Sequence, residues 1–303
     1  MVLAIDHRAN LLDALNRTAP RPLSEEEFAG FKNLVISALA GESSAVLTDP
    51  AYGIGVGVAS RAISGRVGLL APIEVTNYDL NPGQRSIEFI PDWSVSKIKR
   101  MGGDGVKLLL PYHPDAESAQ EKLAIVRLLV DQCAQQDIPL FLEPIPYALD
   151  PGASLSTQEL RQVSVEMART FCAMGVDILK MLFPVNTDQD TDETTWTNAC
   201  QELDAACSVP WVILSAGVNY DTFERQARIA CQAGASGVIV GRALWNEAVQ
   251  LQGNERVHFL ATTAQHRIQT LATICRESAV PWFQRVQAPK AGLEWYTQYP
   301  ATS

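Results

Sequence analysis

Short runs of Val, Ile and Leu recur along the chain, separated by longer stretches in which apolar residues return every three or four positions. A short run that is apolar throughout suits a parallel strand covered on both faces, whereas a period near 3.6 residues suits a helix with one buried stripe. The runs place strands at Val2 to Asp6, Ser44 to Asp49, Gly68 to Glu74, Gly105 to Tyr112, Pro139 to Tyr147, Asp177 to Val185, Trp211 to Val218 and Gly237 to Arg242. Helical periodicity fills the gaps at Ser24 to Ala40, Ser94 to Met101, Ala116 to Gln136, Thr157 to Met174, Thr194 to Cys207 and Tyr220 to Ala233. Ser24 and Glu27 have the spacing of a capping box at the first of these helices. Strand and helix alternate, the pattern of parallel strands joined by crossover helices. Eight such units in roughly 250 residues match a closed (β/α)8 barrel. A doubly wound open sheet would normally open on a Gly-rich turn, and no GxGxxG follows the first run. One domain over residues 1–303 is expected. It ends in a helix from about Arg256 to Arg276 and a tail to Ser303, whose Trp282, Phe283, Trp295 and Tyr296 should keep that tail packed.

Charge narrows the range of partners. A formal net charge of -10 repels phosphate polymers, so neither a nucleic acid nor an anionic membrane is an expected partner, and any phosphate site must be local. No apolar stretch is long enough to span a bilayer and no basic segment precedes an apolar signal run, which predicts a cytoplasmic protein. Cys133, Cys172, Cys200, Cys207, Cys231 and Cys275 form no CxxC pair and fall mostly inside helical patterns, as free buried thiols would. The histidines His7, His113, His258 and His266 show no HxH or HExxH spacing, so neither a metal nor another cofactor is expected.

In such a barrel the active site is built at the C-terminal ends of the strands, and those ends carry the informative residues. Strand one ends in Asp6, His7 and Arg8, strand two in Asp49 and strand three in Glu74; strands four, five and six carry Lys107, Glu143 and Lys180. Burying so many ionisable groups costs several kcal/mol each unless they pair with one another or with substrate. Lys180 stands between Leu179 and Met181, where lost hydration disfavours an ammonium and favours a nucleophilic amine. Lys107 in the same cavity would add a second cation to that effect, or would simply neutralise Glu143 or Asp6. An amine can capture a ketone as an iminium, the electron sink that carbon–carbon cleavage requires. Glu143 could move protons for it, with Asp6 as a second relay or orienting group. Ser215, Ala216 and Gly217 after strand seven, and Gly241 and Arg242 after strand eight, stand where barrels often hold a phosphate. Arg8 would serve a second anionic end of the substrate or a surface salt bridge.

These segments, taken in order, resemble the class I tagatose-1,6-bisphosphate aldolase family, with a related likeness to bacterial sulfofructose-phosphate aldolases. The resemblance is carried by Ala4 to Arg8, Asp49 to Gly53, Asp92 to Val95, Val106 to Leu109, Phe141 to Glu143, Val176 to Lys180 with Pro184 to Asn186, Leu214 to Val218 and Gly241 to Ala243. It implies that Lys180 forms the Schiff base, Glu143 is the general acid and base, Lys107 and Asp6 support it, and Ser215, Gly217, Gly241 and Arg242 hold phosphate. The family usually has Gln where His7 stands, a change at one end of the substrate. Its members also carry an N-terminal helix under the barrel; here either an upstream start or the tail around Trp282 to Tyr296 is expected to cover that floor. The expected activity is cleavage of a ketose phosphate such as tagatose 1,6-bisphosphate to dihydroxyacetone phosphate and a three-carbon aldehyde. A sulfofructose-phosphate aldolase and a non-catalytic sugar-phosphate-binding regulator are the alternatives. Barrels of this kind usually self-associate, so a homo-oligomer is expected.

Overall fold

The computed structural model describes residues 1–76, 80–287, 292–297 and 299. Eight parallel strands close into a barrel in simple sequential order: β1 (Val2–Ile5), β2 (Ala45–Thr48), β3 (Gly68–Pro72), β4 (Gly105–Tyr112), β5 (Leu140–Pro146), β6 (Ile178–Met181), β7 (Trp211–Leu214) and β8 (Val238–Val240). Val2 pairs with Ile239 and Leu3 with Val240, which joins the last strand to the first. The expected (β/α)8 barrel is therefore present. Most strands are shorter than their apolar runs, and the polar residues that close those runs, such as Asp6, Asp49 and Glu74, lie just past the hydrogen-bonded ladder. Strand ends splay at the mouth of a barrel, which frees these positions to converge on a cavity.

The crossover helices are α1 (Ala9–Asn16), α2 (Glu25–Leu39), α3 (Gly55–Ala59), α4 (Val95–Arg100), α5 (Ala119–Gln135), α6 (Thr157–Ala173), α7 (Glu193–Ala206) and α8 (Tyr220–Ala233), followed by α9 (Arg242–Trp245), α10 (Gly253–Phe259) and α11 (Gln265–Ser278). Ser24 and Glu27 form the anticipated capping box, and Ser156 with Glu159 forms a second one at α6. Among the described residues no helix is long and apolar enough to cross a membrane. All six cysteines are free.

Alternation along each strand sorts side chains into two layers. Outward positions such as Leu3, Ile5, Leu108, Leu110, Leu142, Leu179, Met181 and Ile213 pack against Phe28, Val35, Val126, Phe171, Trp196 and Phe223 of the helices. Each such fully buried side chain contributes about 1.5–3 kcal/mol. Inward positions form a small apolar plug of Ala4, Ala45, Leu47, Leu70 and Ile239, flanked by Val2, Phe141 and Val212. Two residues further along their strands, the same inward parity delivers Asp6, Glu143 and Gly241 above that plug, at the open end.

The tail departs from expectation. Trp282 and Phe283 are 61% and 62% exposed, and Trp295 and Tyr296 also face solvent. Its described part is fastened by polar contacts instead. Arg285 donates to the carbonyls of Cys207 and Gly234 and pairs with Asp204, and the Tyr299 hydroxyl meets Asp137. These partners lie in the last turn of α7 and in the turns that lead into β5, β7 and β8, at the N-terminal face of the barrel. Residues 288–291, 298 and 300–303 of the expected tail lie outside the described residues.

Candidate active site

Five strands, β1 and β3 to β6, bring five ionisable side chains together at the C-terminal mouth. Lys107 lies inside β4 and is 1% exposed. Its Nζ is 3.1 Å from Asp6 Oδ2, 2.8 Å from Glu74 Oε1 and 3.0 Å from Glu143 Oε2. Lys180, next along the barrel wall from Glu143, places its Nζ 3.0 Å from that same Glu143 Oε2. One carboxylate oxygen therefore lies between two amine nitrogens. That oxygen is within proton-transfer reach of either amine.

The electrostatics separate the three acids. For Asp6, burial would raise the pKa, but Lys107, Lys180 and His7 outweigh it and hold the carboxyl well below the usual carboxylate range. Glu143 follows the same logic: burial opposes ionisation, and the two lysines together reverse the sign. Glu74 goes the other way, because burial exceeds what Lys107 can offset and pushes its pKa up. Among the described residues no set of His, Cys, Asp and Glu converges as a metal site would.

The cavity above these groups has a volume of about 320 Å³, in the range of small-molecule sites. Asp6, His7, Thr76, Lys107, Glu143 and Lys180 line it together with Ser215, Ala216, Gly217, Gly241 and Arg242. Ala216 and Gly217 both have left-handed backbone, with φ of 47° and 85°. A Cβ on Gly217 would stand 3.1 Å from the Arg242 guanidinium carbon, and one on Gly241 only 3.0 Å from the Ala4 carbonyl oxygen. Both glycines let a second group come close, which seats the Arg242 fork against the Ser215–Gly217 turn as a cationic corner suited to an anion.

His7 turns its ring edge-on to Trp245 at 5.5 Å between centroids. Burial, with help from Arg242, Lys180 and Lys32, pushes its pKa from 6.5 down to about 4 against the pull of Asp6. The folded chain thus refuses a proton that the unfolded chain accepts below about pH 6.5, so this contribution to stability is complete above that pH and is lost as pH falls toward 4. The loss amounts to at most about 3 kcal/mol. Urea melts at pH 7 and pH 5 should show His7→Gln losing clearly less stability between the two than the parent. Equal losses would mean that His7 titrates as an exposed imidazole.

Two strand-end residues sit elsewhere. Asp49 turns away from the cavity into a fully buried ion pair with Lys32 of α2, accepts from the Tyr52 amide at 2.9 Å, and so caps the turn at residues 50–54. Lys32 also donates to the Ile5 carbonyl at 3.1 Å, which steadies the chain just before Asp6. Arg8 donates to the Glu74 carbonyl at 2.7 Å, tying the loops after β1 and β3, and is not among the residues that line the cavity. Sequence reasoning noted Glu74 as a strand-end acid without assigning it a part beside Lys107, although 74 shares inward parity with Leu70. It missed Lys32 altogether. The available signal was a lysine on the apolar stripe of Phe28, Val35, Ile36 and Leu39, a position that demands a buried partner.

Most of the chain is similar to known proteins. The model of the DeoC/LacD family aldolases matches residues 1–247. A tagatose 1,6-diphosphate aldolase 2 of Enterococcus faecalis is 32% identical, the match covering 94% of this chain and 92% of that protein. A tagatose 1,6-diphosphate aldolase of Staphylococcus aureus is also 32% identical, over 93% of each chain. Among solved structures, an archaeal fructose-1,6-bisphosphate aldolase whose catalytic Lys carries a carbinolamine shares the fold. Its TM-score is 0.60 at 18% identity, covering 90% of this chain and 92% of that one.

Proposed function

The chain belongs to the DeoC/LacD family of aldolases, carbon–carbon lyases, and on that ground we propose that it cleaves a ketose bisphosphate through a Schiff base on Lys180. The observation that carries the assignment is Glu143 Oε2, 3.0 Å from both Lys180 Nζ and Lys107 Nζ inside a cavity with an anion-binding corner. A nucleophilic amine needs an acid within reach to expel water from the carbinolamine, and that acid is already in place.

The ketose phosphate enters with its phosphate against Ser215, Gly217, Gly241 and Arg242, which leaves the carbonyl carbon toward Lys180. Lys180 passes a proton to Glu143 and attacks the carbonyl as the free amine, and Glu143 then returns that proton to the carbinolamine hydroxyl, which departs as water and leaves the iminium. Glu143, now a carboxylate, takes the proton from the C4 hydroxyl. The C3–C4 electron pair moves into the iminium, giving an enamine and the free three-carbon aldehyde. Protonation at C3 and hydrolysis then return dihydroxyacetone phosphate and the amine. Asp6 and Lys107 hold Glu143 in register and spread the charge that moves through it. The similarity to two tagatose 1,6-diphosphate aldolases supports tagatose 1,6-bisphosphate as the substrate. His7, on the cavity wall beside Gly241, is the residue we assign to contact with one end of the substrate.

Borohydride reduction in the presence of dihydroxyacetone phosphate should attach the three-carbon unit to the peptide bearing Lys180, as read by mass mapping. Recovery of unmodified protein under conditions of measurable turnover would exclude the covalent mechanism. Comparing kcat/KM for tagatose 1,6-bisphosphate with that for a sulfonated ketose phosphate would separate the two candidate substrates.

A further inference from the structure

Lys107 stands among more acid than one cation can neutralise. When Lys180 attacks a carbonyl it does so as an uncharged amine, which leaves Lys107 as the ammonium in contact with Asp6, Glu74 and Glu143. The proton that Lys180 gives up goes to Glu143, so with Asp6 and Glu74 both ionised the cluster would hold one uncompensated negative charge out of water, and the substrate adds the charge of its phosphate. Buried unpaired charge is strongly disfavoured, and a proton on one carboxyl relieves it. The contacts distinguish which one. Glu143 takes up and gives back the proton of Lys180 during the reaction, which leaves Asp6 and Glu74, and Asp6 is 3.1 Å from Lys107 with His7 beside it. Glu74 sits deeper, 1% exposed, and its Oε2 is buried without a hydrogen-bond partner. A bare carboxylate oxygen is costly there, and an acid hydroxyl much less so. Burial shifts its titration in the same direction.

We propose that Glu74 is a positioning residue that turnover requires in its protonated form: Oε1 accepts from Lys107, Oε2 carries a proton, and the pocket stays close enough to neutral for Lys180 to act as an amine. This role rests on the Schiff-base reading above. Among the described residues, the charged groups facing Glu74 are Asp6 from the end of β1, Lys107 from β4 and Glu143 from β5, with Arg8 on its main-chain carbonyl and Glu88 paired to its neighbour Val75 through the backbone. As pH rises and Glu74 ionises, the added negative charge favours ammonium over amine in the pocket, and turnover falls.

The test compares the parent protein with Glu74→Gln and Glu74→Leu. Gln keeps the acceptor for Lys107 and the charge of the acid, so Glu74→Gln should hold kcat within about threefold at neutral pH while its alkaline decline moves to higher pH. Glu74→Leu removes the acceptor and should lose at least about tenfold, which makes Gln the rescuing variant. Infrared spectra in D2O should show the carbonyl stretch of an un-ionised carboxyl near neutral pH in the parent, missing from Glu74→Gln. Coincident alkaline limbs, or a loss of two or more orders of magnitude (roughly 100-fold) in folded Glu74→Gln, would overturn the proposal. A borohydride adduct on Lys180 without that infrared band removes the proton from Glu74 alone. The band without any adduct sinks the Schiff-base reading and this role together.

Discussion

Lys180→Met should abolish the borohydride-trapped adduct and lower kcat by at least about four orders of magnitude, with the thermal transition nearly unmoved. Both halves follow from the packing. In the proposed mechanism Lys180 is the amine that attacks the carbonyl of a ketose whose phosphate lies in the Arg242 corner, since Lys107 is held by hydrogen bonds to Asp6 and Glu74. A methionine has similar length, suits the apolar neighbours Leu179 and Met181, and leaves Glu143 still paired with Lys107 at 3.0 Å. No buried charge is orphaned, so the fold has little reason to weaken. An adduct that persists and maps to the Lys107 peptide would transfer the nucleophile to that residue.

Glu143→Ala is expected to reduce kcat and kcat/KM together by roughly two to three orders of magnitude. The parallel fall is the diagnostic part, because a group that shuttles protons acts in the transition state more than in the bound substrate. Lys107 keeps Asp6 and Glu74, so its position should survive, while Lys180 loses the carboxylate that lies 3.0 Å away. Single-turnover trapping should show the adduct forming slowly in this variant. A rise in KM with kcat unaffected would reduce Glu143 to a binding group.

The barrel was legible in the sequence because strand runs and helical periods differ in length and spacing, and alternation then fixes which strand residues face inward. Asp6, Glu143 and Lys180 could be placed in one cavity from that logic alone, and the Ser215–Gly217 and Gly241–Arg242 corners from their place after β7 and β8. Other positions depend on distances that no local pattern encodes. Asp49 belongs by number to the inward set, yet the chain leaves the sheet at Pro50 and Lys32 draws the carboxylate outward. Arg8 reads as an anion ligand until the loop after β3 presents a carbonyl to it. Lys107 sits among three acids, a crowding that strand order shows only after the closing of the ring brings β1 beside the others. The aromatic tail illustrates the reverse error: apolar composition suggested packing, whereas Arg285, a charged residue, does the fastening.

The pairing of β1 with β8 carries a consequence for how the enzyme comes into being. Asp6 leaves the ribosome first and Arg242 more than two hundred positions later, so the nascent chain holds an incomplete crown until the eighth strand has been made. Every earlier intermediate exposes an unpaired edge of Val2–Ile5, ready to find a wrong neighbour. Closing that gap is a long-range event with a large entropic cost, and it should set the pace at which the newborn polypeptide becomes active.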